Sequence, residues 1–398
     1  MNKFKNIAII FGLFALLFAS CFEKDEPKEE TRRTIIMYLI STNSLSTSIA
    51  SDITEIEESI RLLNDMNNCR LLVYHVSYSQ APYLFEIKKV KGRIERVTIK
   101  TYTDDVRSTT VERMTEVITD AIKTAPAKEY GLVLGSHASG WASSLVARSN
   151  ITPRDFGEDF SNTMQLAELA EAIPNNTFNF IYADACFMGG VEVAYELKDD
   201  AKYFIGSTTE IPKDGMDYAN NISCFFADDL ELSIVCDNTY QKYNQKTGSA
   251  RTCTISLIDC SMLNDLALIC MSMNAIGEGT MDYSILQVYK ESSPYLFYDF
   301  KQYYNTFEPK ADEDGAKLDA LKAELNDMLN KTILYKAATP SIFNRLNIDS
   351  EKYSGLSTYV LGSTSPDGVN ENYYKTLSRY QDVFKLLNLI SQFSYTKI

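Results

Sequence analysis

The sequence has two histidines, one tryptophan and no C-x-x-C pair among its eight cysteines. A transition-metal site needs several convergent nitrogen and sulfur ligands at characteristic spacings, so the chain is poor material for one. Positive charge is also short: 39 Lys and Arg stand against 53 Asp and Glu, a formal charge of −14, with no basic or arginine- and aromatic-rich segment. A phosphate backbone would be repelled, which sets nucleic acid aside as a partner. No apolar run is long enough to cross a bilayer, since Ile7 to Ala19 falls well short of the about 20 residues a spanning helix requires.

The 398 residues are 45% hydrophobic and 12% aromatic, enough for a large core in one big domain or two ordinary ones. Lys3 and Lys5, the apolar run and the small residues before Cys21 predict a signal peptide over 1–20. The ending "LFAS-C" resembles a bacterial lipobox, in which Cys21 is acylated and becomes the new N-terminus; Phe18 stands where an aliphatic residue is usual. Residues 21–31, beginning "CFEKDEPKEE", read as a solvated acidic tether. An acidic run directly after a lipidated cysteine resembles a surface-export signal. The expectation is therefore a lipid anchor in a bacterial outer membrane facing the cell surface, the periplasmic face being the alternative. Losing residues 1–20 removes two lysines and no acid, which takes the charge to about −16. Seven cysteines then remain, at 69, 186, 224, 236, 253, 260 and 270, an odd number compatible with disulfides that leave at least one thiol over.

Along the chain, "RRTIIMYLIST" (32–42) and "CRLLVYHVSY" (69–78) read as strands. Between them, 51–66 reads as a helix with Ser51 and Asp52 as cap candidates and Ile53, Ile56, Ile60 and Leu63 at helical spacing. Alternation on both sides of Lys91-Gly92 predicts a hairpin over 83–103, and 108–125 is a helix with an apolar stripe. The runs at 130–141, 179–197, 202–212 and 252–259 are short apolar strands leading into polar or glycine-containing loops, several followed by helices. Strands apolar throughout that alternate with helices predict an α/β fold with a mostly parallel sheet sandwiched by helices. A sequence core over 32–262 then carries a helical C-terminal subdomain over 263–398, tyrosine-rich at 284–307, with helices at 314–335 and 374–393. That aromatic density reads as core packing before it reads as a glycan surface.

Ligands of such sheets bind beyond the carboxyl ends of the strands. Two reactive side chains fall there: His137 after "GLVLGS" and Cys186 after "NFIYADA". A cysteine at a strand-to-helix junction gains thiolate character from the helix N-terminus, and a histidine across the crevice can protonate a leaving amine. His75, mid-strand, reads instead as a partly buried sheet residue.

"LVLGSHASGW", "DACFMGGVEVAYEL" and "STTEIPKDGMDY" together resemble the clostripain family of cysteine peptidases, which share a caspase-like fold. The likeness runs from about 32 to 260, with a weaker echo at "YSGLSTYVLG" (353–362) that resembles a late family strand. It implies Cys186 as nucleophile, His137 as partner, the N–H of Ala138 at the oxyanion, and Asp184 with Asp214 in a pocket for a substrate Arg or Lys. A paired carboxylate in a partly desolvated pocket is a physical way to select a cation. Asp184 also reads as a cap or structural acceptor, and Glu210 or Asp217 could replace Asp214, itself readable as a turn residue. The chain departs from the family at Ala138, where glycine follows the histidine, and at Met216, where tryptophan is usual; Trp141 fits the family's packing position. A methyl at 138 disfavours positive φ, which opens an alternative: a fold-retaining surface lipoprotein that has lost catalysis and serves as a binding or scaffold protein. The polar segment 142–163 reads as an exposed loop, and the resemblance implies self-cleavage there, with Arg148 and Arg154 as candidates. It also implies calcium as a cofactor of some members; "ADEDG" (311–315) could supply oxygens but matches no calcium-loop spacing.

Overall fold

Every residue of β1 (Arg33–Ile40) is buried, as a strand covered on both faces requires. Ile36, Tyr38 and Ile40 pack into one layer and Ile35, Met37 and Leu39 into the other. The computed structural model describes residues 30–142, 156–363 and 369–385, and Thr31–Ile398 fall into one compact unit. In chain order β1 is followed by α1 (Ser46–Leu62), β2 (Cys69–Ser77), β3 (Gln80–Val90), β4 (Arg93–Thr101), α2 (Val111–Thr124) and β5 (Glu129–Gly135). Then come α3 (Leu166–Ala172), β6 (Phe178–Asp184), α4 (Val191–Glu196), β7 (Ala201–Gly206), α5 (Tyr218–Phe226) and α6 (Leu232–Asn244). The last major elements are β8 (Thr254–Asp259), α7 (Leu263–Ile276), α8 (Gly315–Thr332) and β9 (Ile333–Ala338).

Among the described residues these strands form one nine-stranded sheet in the order β9-β8-β7-β6-β5-β1-β2-β3-β4. The five central strands, β2, β1, β5, β6 and β7, run parallel. The flanking pairs are antiparallel. Helix α1 places Ile49, Ile53, Ile56 and Ile60 against one face, joined by α5 and α6; α2, α3, α4, α7 and α8 cover the other. The Lys91-Gly92 hairpin forms as expected, both residues taking positive φ in a two-residue turn.

Three expectations are corrected, and one edge of the mostly parallel sheet proves antiparallel. Helix α1 begins at Ser46 because Asn43 Oδ1 accepts the Leu45 N–H (2.8 Å) and turns the chain there, so Ser51 and Asp52 lie inside the helix. β8 is antiparallel to β7, since the intervening α5 and α6 return the chain reversed. The last sheet strand is β9, whereas Ser357–Thr358 stay outside the sheet, pairing with Tyr298–Asp299 and bridging from Ser357 to Gly190. The helix expected over 374–393 is broken where described, into Val369–Tyr374, Ser378–Tyr380 and a π turn over Gln381–Lys385. The aromatic region is core: Tyr289, Tyr298, Phe300, Tyr304 and Phe307 are buried. Trp141 is buried among Tyr359, Tyr374 and Phe297. No disulfide joins the described cysteines. No helix among the described residues is long and apolar enough to cross a membrane. The signal peptide, Cys21, Arg148 and Arg154 lie outside the described residues.

Candidate active site

β5 and β6 are parallel neighbours with Gly135 opposite Asp184. The residues two beyond these partners therefore emerge at the same carboxyl edge of the sheet. They are His137 and Cys186, and both line a single cavity of about 100 Å³.

His137 is held from its main chain outward. The preceding Ser136 donates its hydroxyl to Ile40 O (3.0 Å) and accepts the Glu158 N–H (3.2 Å), and the His137 carbonyl accepts from Gly157 N (2.9 Å). Its Nε2 hydrogen-bonds with Ser44 Oγ at 2.8 Å and stands 4.0 Å from the Glu158 carboxylate. His75, by contrast, is buried in β2 against Ser41 (3.1 Å), and burial, helped by Arg96, pushes its pKa down to about 4.

Cys186 does not sit on a helix N-terminus: α4 begins only at Val191. One donor to its Sγ is the main-chain N–H of Ile211, at 3.4 Å, from the segment after β7. A hydrogen bond to sulfur favours the anionic form, so this amide acts where a helix dipole was expected. The turn is tight because Phe187 takes φ +59° and stacks on Phe297, centroids 4.8 Å apart. Gly189 packs on the Ser207–Thr208 backbone, where a Cβ would meet main-chain atoms at 2.7 Å.

The cavity floor is acidic. Asp184 accepts the Tyr218 hydroxyl at 2.8 Å; burial raises its pKa, and the Tyr218 hydroxyl and Met216 N–H pull against that. Asp52, only 7% exposed, lines the same cavity from α1. Burial first, and the Asp184 charge second, push its pKa up to about 8. Asp214, expected as the second carboxylate, is outside the lining: its side chain is 70% exposed and 3.8 Å from Lys246, because the turn at Gly215 directs it outward. Glu210 pairs with Arg345 (3.5 Å), and Asp217 caps α5 through Asn220 N (3.3 Å); neither lines the cavity. Ala138 is outside the left-handed region that Gly140 adopts (φ +67°), and it packs into the core rather than into the cavity. The substitution therefore asks for no strained backbone. Residues 312–314 form an exposed 3₁₀ turn, and among the described residues no three Asp, Glu, His or Cys converge on a metal position, so calcium has no fitting cage there.

Sequence reading missed Ser44, Glu158, Ile211, Tyr218 and Asp52 as neighbours of the pair. Asp52 left a trace as a charged residue on the apolar stripe of α1, and Ile211 and Tyr218 lie within the quoted "STTEIPKDGMDY" stretch without a role read from it.

The clostripain family model matches residues 37–306, more than half of the chain. The chain belongs to the clostripain family. This clostripain-family protein is a cysteine peptidase that acts on peptides. It is similar to a secreted C11 cysteine protease of Bacteroides thetaiotaomicron, with 26% identity, TM-score 0.76, and coverage of 89% of this chain and 99% of the other. A structure of a secreted C11 protease of that organism with an irreversible peptide inhibitor aligns at 27% identity and TM-score 0.74, over 89% and 99%. An inactive zymogen C11 protease from Parabacteroides distasonis aligns at 28% identity and TM-score 0.75, again over 89% and 99%. No curated protein matches the chain.

Proposed function

We propose that this peptidase is an endopeptidase that cleaves after arginine or lysine, with Cys186 as nucleophile and His137 as its proton partner. The supporting observation is their shared cavity, floored by the half-buried Asp184. The Cys186 thiolate attacks the scissile carbonyl, the oxyanion takes the N–H of Ala138, and the His137 imidazolium gives its proton to the departing amine. Water, deprotonated by the neutral His137, then cleaves the thioester and returns the thiol. Asp184 receives the cationic side chain. The inactive-scaffold alternative rested on Ala138, and the ordinary backbone there removes its support.

Self-cleavage at Arg148 or Arg154 releases the site; similarity to a protein described as an inactive zymogen supports this. Acylation of Cys21 tethers the enzyme to the outer membrane at the cell surface, a reading supported by "LFASC" and by similarity to secreted proteases. The test is hydrolysis of Arg- and Lys-terminated fluorogenic peptides with and without a thiol alkylator. Turnover lost on alkylation and in Cys186→Ala is expected, and the Cys186→Ala chain stays intact. Nicking of that variant at wild-type rate would overturn self-processing.

A further inference from the structure

The cavity beside Cys186 and His137 contains a carboxylate that neither the sequence motifs nor the mechanism above employs. Asp52 projects from the first half of α1, on the stripe that otherwise carries Ile49, Ile53 and Ile56 into the core. It is more than nine-tenths buried yet lines the cavity, and among the described residues no hydrogen bond reaches its carboxyl. Its oxygens open onto the cavity and are not sealed in the core, so a partly desolvated carboxylate without a protein donor gains from a ligand that supplies one. The partner already present in the fold satisfies other groups: Lys242 Nζ donates to the carbonyls of Met216 (2.9 Å) and Asp214 (3.0 Å) and is 3.9 Å from Glu55. The unmet demand in the cavity is for a cation with several N–H donors.

We propose that Asp52 is the second specificity carboxylate of the pocket, clamping the substrate's guanidinium or ammonium together with Asp184, the place that motif reading assigns to Asp214. The assignment rests on the basic-residue specificity proposed above. It puts one acid on α1 and the other at the end of β6, so the cation bridges an element from each half of the sheet.

The pocket has a pH signature. The charged groups around Asp52 are Asp184 from β6, Lys242 from α6, Asp214 from the turn before Gly215, and Glu55 on α1 itself; Lys213 also lines the cavity, and the Tyr218 hydroxyl donates to Asp184. Burial and the Asp184 charge outweigh Lys242, so in the empty pocket Asp52 holds its proton up to about pH 8. Entry of a cation at neutral pH expels that proton to water.

The test compares the wild-type chain, incubated to constant activity, with Asp52→Asn and Asp214→Asn on arginyl peptides and their neutral citrullinyl counterparts. The ratio of the two kcat/KM values cancels the ionisations of Cys186 and His137 common to both substrates. In wild type this ratio rises with pH through about 8. Asp52→Asn lowers it by about 10- to 100-fold, chiefly through KM, and abolishes the rise, as loss of one charged hydrogen-bonding partner predicts. Asp214→Asn changes it less. Asp52→Asn also melts higher than wild type at pH 8, because an uncompensated buried acid is gone, whereas a merely structural Asp52 would melt lower. An unchanged ratio in Asp52→Asn, or equal losses on both substrates with a lower melting point, overturns the assignment. If wild type itself does not prefer arginyl over citrullinyl peptides, basic specificity fails first, and the clamp with it.

Discussion

Gly215 works at the scale of a single hydrogen atom. Its φ is +53°, and a Cβ there would lie 2.3 Å from Asp184 Oδ2. The missing side chain is what lets the 212–217 turn lie flat over the carboxylate. Gly215→Ala is expected to displace Asp184 and cut kcat/KM on arginyl peptides by about 10- to 100-fold, with a lower melting temperature. Kinetics indistinguishable from wild type would mean that the carboxylate tolerates displacement. Phe187 is a related case, a bulky residue in the left-handed region beside Cys186, held by its stack on Phe297 and by its N–H on Thr209 O (2.9 Å). At this scale, what could be read in advance followed chain order. His137, Asp184 and Cys186 each end an apolar run, and the rule for parallel sheets brings such ends together. Asp52 escaped because Ser51-Asp52 satisfies a local capping pattern, while the true helix start depends on Asn43 turning the chain. Ser44, Glu158 and Ile211 escaped because nothing in a linear pattern marks which loop folds back over which strand.

Among the elements, α4 is tied to the C-terminal segment by charge. Glu192 and Arg379 are both buried and 3.7 Å apart, and Glu192 also accepts Thr358 Oγ1 (2.8 Å) and the Tyr359 N–H (3.0 Å). Arg379 donates onward to the hydroxyls of Tyr374 (3.1 Å) and Tyr304 (3.3 Å). Removing one member strands the other, so Arg379→Met is expected to cost about 3–5 kcal/mol of unfolding free energy, and the double variant Glu192→Gln, Arg379→Met to recover much of it. Urea unfolding of the three chains checks this; equal stability of single and wild-type chains would contradict it. The alternation of strands and helices was legible because each core strand is apolar on both faces. The broken helix after 369 was not, since apolar spacing there serves a clasp around Trp141 instead of a continuous helix.

Taken whole, the molecule places its sheet across the segment proposed to be cut. The part before residue 143 carries β1 to β5 with Asp52 and His137, and the part after 155 carries β6 to β9 with Asp184 and Cys186. β5 and β6 are hydrogen-bonded neighbours from Gly131↔Phe180 to Gly135↔Asp184, so scission between them breaks no ladder bond. The processed enzyme is expected to give two bands in denaturing electrophoresis and one particle in native size-exclusion chromatography; two separate native species would refute this. Maturation would thus yield a heterodimer without any assembly step, in which neither polypeptide holds a complete set of reacting groups and dissociation is itself a route to permanent inactivation.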